Sequence, residues 1–250
     1  MEMRLPVITA RDIPFVIMKV WLLIYLIMGV TGRICGQQDH EAGFVSIFNG
    51  ENLEGWKGDP VYWRVENGIL LGEVTPATLL KKNSFIIWQG GFPADFELKV
   101  DYRISSKGNS GINYRSALAD GEPYALKGYQ ADIDGEDHWS GQNYEERGRT
   151  FLARRGQQVR VDPGNQITVT GDLGKPEYLQ QFIRKEDWNE CHLIVKGNHL
   201  RHYINGKLMS EVMDNDKANR TTEGYLGVQV HVGPPMKIEY RNMRLKKLNP

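Results

Sequence analysis

Along most of the chain apolar residues alternate with polar ones at a period of two rather than 3.6, and that pattern predicts strands. The clearest run is 95–105, where Phe96, Leu98, Val100, Tyr102 and Ile104 occupy one phase and Glu97, Lys99, Asp101 and Arg103 the other. Similar runs cover 62–65, 69–74, 84–89, 150–154, 190–196, 200–204, 207–212, 225–232 and 237–248. Asn67-Gly68 and Asn205-Gly206 each separate two adjacent runs by a dipeptide that tolerates positive φ, the pattern of a tight antiparallel hairpin. No amphipathic helical stretch of more than about two turns, no internal repeat and no second composition regime interrupts the series. Many short strands with frequent turns predict an all-β chain, an antiparallel two-sheet β-sandwich or jelly roll, forming a single domain over 44–248.

The polar phase of three runs carries unusual residues. In GNSGINYR (108–115), Ile112 and Tyr114 suit a core, leaving Asn113 and Arg115 on the other face. In GYQADID (128–134), Tyr129, Ala131 and Ile133 leave Gln130, Asp132 and Asp134. In 225–232, Leu226, Val228, Val230 and Val232 leave Gln229 and His231. Amides, a guanidinium, carboxylates and an imidazole pair donors with acceptors, as sugar hydroxyls require, and they include groups able to act as a base. Three unrelated solvated faces would show the same phases, and parity alone does not decide between the two. The segment 135–149, GEDHWSGQNYEERGR, is expected as a long loop. Its Trp139, Tyr144, Glu145, Glu146, Arg147 and Arg149 could wall a concave face; the alternative is a solvated loop with internal ion pairs of little individual worth.

The first 36 residues differ from the rest. Met18-Lys19 precedes an apolar stretch from Val20 to Val30 that is short of the roughly 20 residues of a membrane span but fits an export signal. Met18 is therefore expected as the true start, 1–36 as the signal segment and 37–43 as a linker. Export to the periplasm or the medium follows, with no stable membrane span once the signal is removed. Cys35 leaves acylation as the less favoured outcome, and an uncleaved anchor is a further one. After removal only Cys191 remains, so no intramolecular disulfide can form, and its phase with Leu193 and Val195 marks it as a small core residue. The formal net charge is zero, which argues against a nucleic-acid surface. Phosphate-cradling glycine loops, HExxH, paired CxxC and GxSxG are all absent. His138, His192, His199 and His202 are scattered, and His199 and His202 fall on opposite faces of one strand.

Taken in order, FVSIFNGENLEGW (44–56), YWRVENGILLG (62–72), DFELKVDYRI (95–104), GNSGINYR (108–115), GYQADID (128–134), YEERGR (144–149), WNECHLIVKGNHLRHYINGK (188–207), GYLGVQVH (224–231) and IEYRNMRLKKL (238–248) resemble the 3-keto-disaccharide hydrolase family. The resemblance implies a concanavalin A-like sandwich with its site on the concave sheet. It implies as substrate a glycoside or oligosaccharide already oxidised to a ketone at C3. Such a ketone acidifies the C2 proton, so a base can form an enolate that expels the C1 substituent; water then adds to the enone. On that basis His231, followed by Asp132, is expected to transfer the proton, with Arg115 on the enolate oxygen. Asn113, Gln130 and Gln229 would orient the sugar, with Trp139 and Arg147 as further contacts, and Tyr144 and Glu146 would serve the leaving-group side. A divalent cation on Asp132, Glu146 or His231 would serve the same end. Where family members carry a shorter glycine-rich stretch, this chain has 134–159, which leaves substrate size open. A non-catalytic carbohydrate-binding module and an ordinary glycoside hydrolase are the alternatives. The second lacks the carboxylate motif that two-acid hydrolysis on a jelly roll uses.

Overall fold

A computed structural model describes residues 41–249. The expected export segment and linker residues 37–40 lie outside the described residues. Two sheets make up the fold. The larger has ten strands: β12 (Gln166–Asp172), β11 (Gln157–Asp162), β15 (Lys207–Asp214), β14 (His199–Ile204), β13 (Asn189–Lys196), β6 (Phe96–Ile104), β17 (Met236–Lys247), β4 (Ile69–Val74) and β3 (Trp63–Glu66) in spatial order, with β1 (Val45–Ser46) also paired to β17. The smaller has seven: β10 (Thr150–Ala153), β9 (Asn143–Glu146), β8 (Leu126–Asp134), β7 (Asn109–Leu118), β16 (Tyr225–Val230), β5 (Ser84–Trp88) and β2 (Trp56–Lys57). Neighbours pair antiparallel except β11 with β15. Among the described residues one short helix, α1 (Pro176–Gln180), follows β12. Among the described residues no helix is long and apolar enough to cross a membrane.

The alternation in β6 is realised residue by residue, with Phe96, Leu98, Val100, Tyr102 and Ile104 buried and the intervening positions part-exposed. They pack with Cys191, Leu193 and Val195 of β13 and with Ile112, Tyr114, Tyr129, Ala131 and Ile133 of the facing sheet. Each such side chain removed from water contributes about 1.5–3 kcal/mol, which makes the phase of each strand hard to invert. Burial pushes the Cys191 thiol up to about 12, so it stays a neutral core group. Both hairpin dipeptides adopt positive φ: 51° and 79° at Asn67-Gly68, 48° and 76° at Asn205-Gly206.

The segment 135–149 is not wholly a loop. Its residues Asn143–Glu146 form β9, which extends the smaller sheet beyond β8. The inward phase of β9 is polar and meets polar partners between the sheets. Asn143 donates to the Tyr114 hydroxyl at 3.1 Å, which in turn lies 2.8 Å from Nε2 of buried His202. Burial lowers the His202 pKa to about 4, so the imidazole there is neutral. Glu145 accepts from Arg149 at 2.5 Å, and Arg149 also donates to buried Asp214 at 2.7 Å. Tyr129 donates its hydroxyl to the same Asp214 at 2.6 Å. A strand polar on both faces shows no alternation, which is why β9 has no periodic signal.

Candidate active site

Register assembles the outer face of the smaller sheet. Gln130 on β8 stands opposite Asn113 on β7 and Tyr144 on β9, while Asp132 stands opposite Gly111 and Gly128 opposite Glu146. Gln130, Asp132, Tyr144 and Glu146 therefore share one face. His231, just past the end of β16, and Asn109 complete one side of a pocket of about 430 Å³; Trp139, Arg147 and Phe151 line another. A larger groove of about 760 Å³ lies beside β1, Trp88 and Leu245, but it presents only Glu54 and Lys247 as charged groups. The smaller pocket instead gathers Asp132, Glu146, Arg147 and His231.

Asp132 is held from both sides. Gln130 Nε2 donates to its Oδ1 at 2.7 Å and Gln142 Nε2 to its Oδ2 at 3.4 Å. Gln229 Nε2 donates at 3.3 Å to Gln130 Oε1, which orients the Gln130 amide with its nitrogen toward Asp132. Gly111 leaves the space this needs, since a Cβ there would lie 2.5 Å from Gln130 Cγ and Cδ. His231 donates Nδ1–H to the Val232 carbonyl at 2.5 Å, so the neutral ring carries its lone pair on Nε2. Asn83 bridges the pocket mouth, accepting from Val232 N at 2.9 Å and donating to Glu146 Oε1 at 3.3 Å.

The aromatic side is equally fixed. Asp134 does not line the pocket; its carboxylate accepts from the backbone of His138, Trp139 and Ser140 at 2.8–2.9 Å and so holds the loop carrying Trp139. Phe151 is the register partner of Tyr144 on β10, and its ring lies 5.1 Å from Tyr144 and 5.7 Å from Trp139. Arg147 turns its guanidinium to Glu122, donating at 2.9 and 3.2 Å.

Three expected contact residues lie elsewhere. Arg115 faces away from the pocket, because a bulge between Tyr114 and Ala117 and a φ of 45° at Arg115 itself break the alternation of β7. Its guanidinium donates to the Ala94 and Gly197 carbonyls at 2.8 and 2.7 Å and to Asp95 at 2.9 Å, so it is a structural tie rather than an enolate donor. Asn113 shares the face of Gln130 but is fully buried below the pocket, with both amide atoms unpartnered among the described residues. Gln229 is also fully buried and acts through Gln130. Conversely, Asn83, Asn109, Gln142 and Phe151 belong to the site without having been singled out. Asn109 is in phase with Asn113, and Phe151 sits in an expected strand. Gln142 and Asn83 carry no periodic signal. Among the described residues no three His, Cys, Asp or Glu side chains are grouped to hold a metal ion, so Asp132, Glu146 and His231 do not fit a three-ligand cation site.

A family model for the 3-keto-alpha-glucoside-1,2-lyase-like domain matches residues 43–246. The chain belongs to that family. No curated protein matches it. Among solved structures it is similar to two proteins of Parabacteroides distasonis designated candidate glycosyl hydrolases. One is 20% identical with a TM-score of 0.55, over 83% of this chain and 95% of that one; the other is 21% identical at 0.56, over 82% and 99%. A Bacillus subtilis protein with a galectin-like fold is 14% identical at a TM-score of 0.52, over 78% of this chain and 90% of that one. These likenesses establish the shared sandwich fold.

Within this lyase-like domain the electrostatics single out one group. Burial, followed by the negative charges of Asp134 and Glu146, raises Asp132 to about 8 against the opposing donors Gln130 and Gln142. Burial likewise raises Glu146, partly offset by Asn83 and Arg147, which favours its protonated form. Tyr144 is raised by burial and by the two carboxylates, so its phenol remains a donor.

Proposed function

We propose that the pocket cleaves 3-keto-glycosides by elimination and hydration, with Asp132 as the general base. The observation that carries this reading is a carboxylate nine-tenths buried on the pocket floor, held by two amides and pushed up to about 8. Once ionised, such a carboxylate is a much stronger base than an ordinary one, and removing a proton from carbon beside a ketone demands that. Asp132 takes the C2 proton, and the C–H electron pair forms the C2–C3 enolate. The phenol of Tyr144 donates to the developing negative charge on the C3 oxygen. The enolate collapses to a C1–C2 double bond as the C1–O bond breaks, and the leaving oxygen takes the proton held by Glu146. Water then adds at C1, giving up its proton to Nε2 of His231, which passes it to Glu146 across the pocket, and protonated Asp132 returns a proton to C2. The net change is hydrolysis.

Family membership supports the substrate class, and the C3 ketone supplies the acidity that makes a carbon acid accessible to one carboxylate. We further propose that the chain is exported, on the strength of the apolar stretch after Met18-Lys19.

The test is release of a chromophore from a 3-keto-glucoside beside the unoxidised glucoside. Release is expected from the keto form only, with kcat/KM passing through a maximum as the pH is raised, because Asp132 must be ionised while Glu146 still holds its proton. Cleavage of the plain glucoside at a comparable rate would favour an ordinary glycoside hydrolase. Sugar binding without any turnover would favour a carbohydrate-binding module.

A further inference from the structure

We propose that Trp139, Phe151 and Tyr144 form a leaving-group subsite built for a flat, apolar ring face, supplied by an aryl aglycone or by a second pyranose. The inference rests on the reading of the pocket given above. The pocket has two chemically different sides, a floor of Gln130, Asp132 and His231 and a wall of three aromatic rings. Tyr144 and Glu146 lie two residues apart on β9 and point to the same side. A C1 substituent protonated by Glu146 therefore extends toward the wall.

The wall is preorganised and exposed together. Trp139 is 39% exposed, yet its loop is held by three backbone donors to Asp134 and by Arg155, which donates to the Ser140 and Asp137 carbonyls at 3.0 and 2.7 Å. Arg154 lies over the Phe151 ring at 4.2 Å from its centroid. Holding a large apolar ring rigidly in water is unfavourable for the free protein and favourable for a ligand that covers it, because little ordering entropy is lost on binding.

The experiment compares kcat/KM for 3-keto-glucosides bearing phenyl, glucosyl and methyl leaving groups, in the wild type and in Phe151→Leu and Trp139→Leu. Calorimetry with unoxidised phenyl and methyl glucosides runs alongside. The ratio of phenyl or glucosyl over methyl is expected to fall about 3- to 10-fold in each variant, the scale of one aromatic contact; whichever arm falls identifies the natural ring. Unchanged ratios in both variants, with melting temperatures retained, would overturn the subsite. If no keto substrate turns over but the wild type prefers phenyl to methyl glucoside and the variants do not, the subsite stands and the catalytic reading fails. Exposed Trp139 keeps the test open should Phe151→Leu fail to fold.

Discussion

Asp132→Asn is expected to lower kcat/KM on a 3-keto-glucoside by about 10²- to 10⁴-fold, the usual contribution of a positioned acid–base group. The same substitution is expected to stabilise the fold in mild alkali. Asp132 is raised in the folded state from 3.8 to about 8, so its unfavourable ionisation is absent at pH below the unfolded value, where both states are protonated. Stability from this group is then lost as the pH rises from about 3.8 to about 8, because the unfolded chain ionises there while the buried native carboxyl stays protonated. Asparagine cannot ionise and does not suffer that loss. Its amide also suits the surroundings: the oxygen can accept from Gln130, and the weaker 3.4 Å donor, Gln142, can turn its own oxygen toward the new nitrogen. Melting temperatures of both forms at pH 5 and pH 9 check this, with the variant gaining more relative to the wild type at the higher pH. A variant that loses stability at both would mean that Asp132 is a structural carboxylate.

Arg149→Met is expected to cost about 3–5 kcal/mol, the toll of removing one partner from a buried charge cluster. For a domain of this size each kcal/mol corresponds to about 2–4 °C in melting temperature. The guanidinium is 8% exposed and holds Glu145 at 7% and Asp214 at 1%. Burial opposes its charge, but Asp214 and Glu145 outweigh that effect and raise its pKa. Methionine would leave two buried carboxylates without a cation between the sheets. Because β9 carries both Glu145 inward and Glu146 outward, loosening this cluster would also displace the proposed acid. Urea denaturation of the variant, showing a loss under about 1 kcal/mol, would mean that water reaches the cluster and solvates both carboxylates.

The two kinds of strand explain what could be read ahead of the structure. In β6 and β13 one phase is wholly apolar and the other wholly polar, so their faces, and the core position of Cys191, follow from periodicity. The parity that put Gln130, Asp132 and His231 on one face holds because β8 is regular and β16 runs straight to its end. Parity failed for Arg115, since a bulge of one residue reverses every later side chain, and an arginine with positive φ gives no local warning. It could not separate Asn113 and Gln229 from true pocket residues, because phase says which face a side chain takes but not what covers it. β9 stayed hidden because its inward Asn143 and Glu145 are matched by His202, Tyr114 and Arg149, partners distant in sequence. The aromatic wall was half visible: Trp139 and Tyr144 stood out in a polar segment, whereas Phe151 needed the β9–β10 register.

The most direct measurement of the central claim is single-turnover release from a 3-keto-glucoside carrying deuterium at C2, run against the protiated substrate with the wild-type protein. If Asp132 removes the C2 proton before the C1 bond breaks, the deuterated substrate reacts more slowly. Equal rates from the two isotopologues across the pH range with no loss of the C2 deuterium to solvent, as direct displacement at C1 would give, would contradict the elimination route.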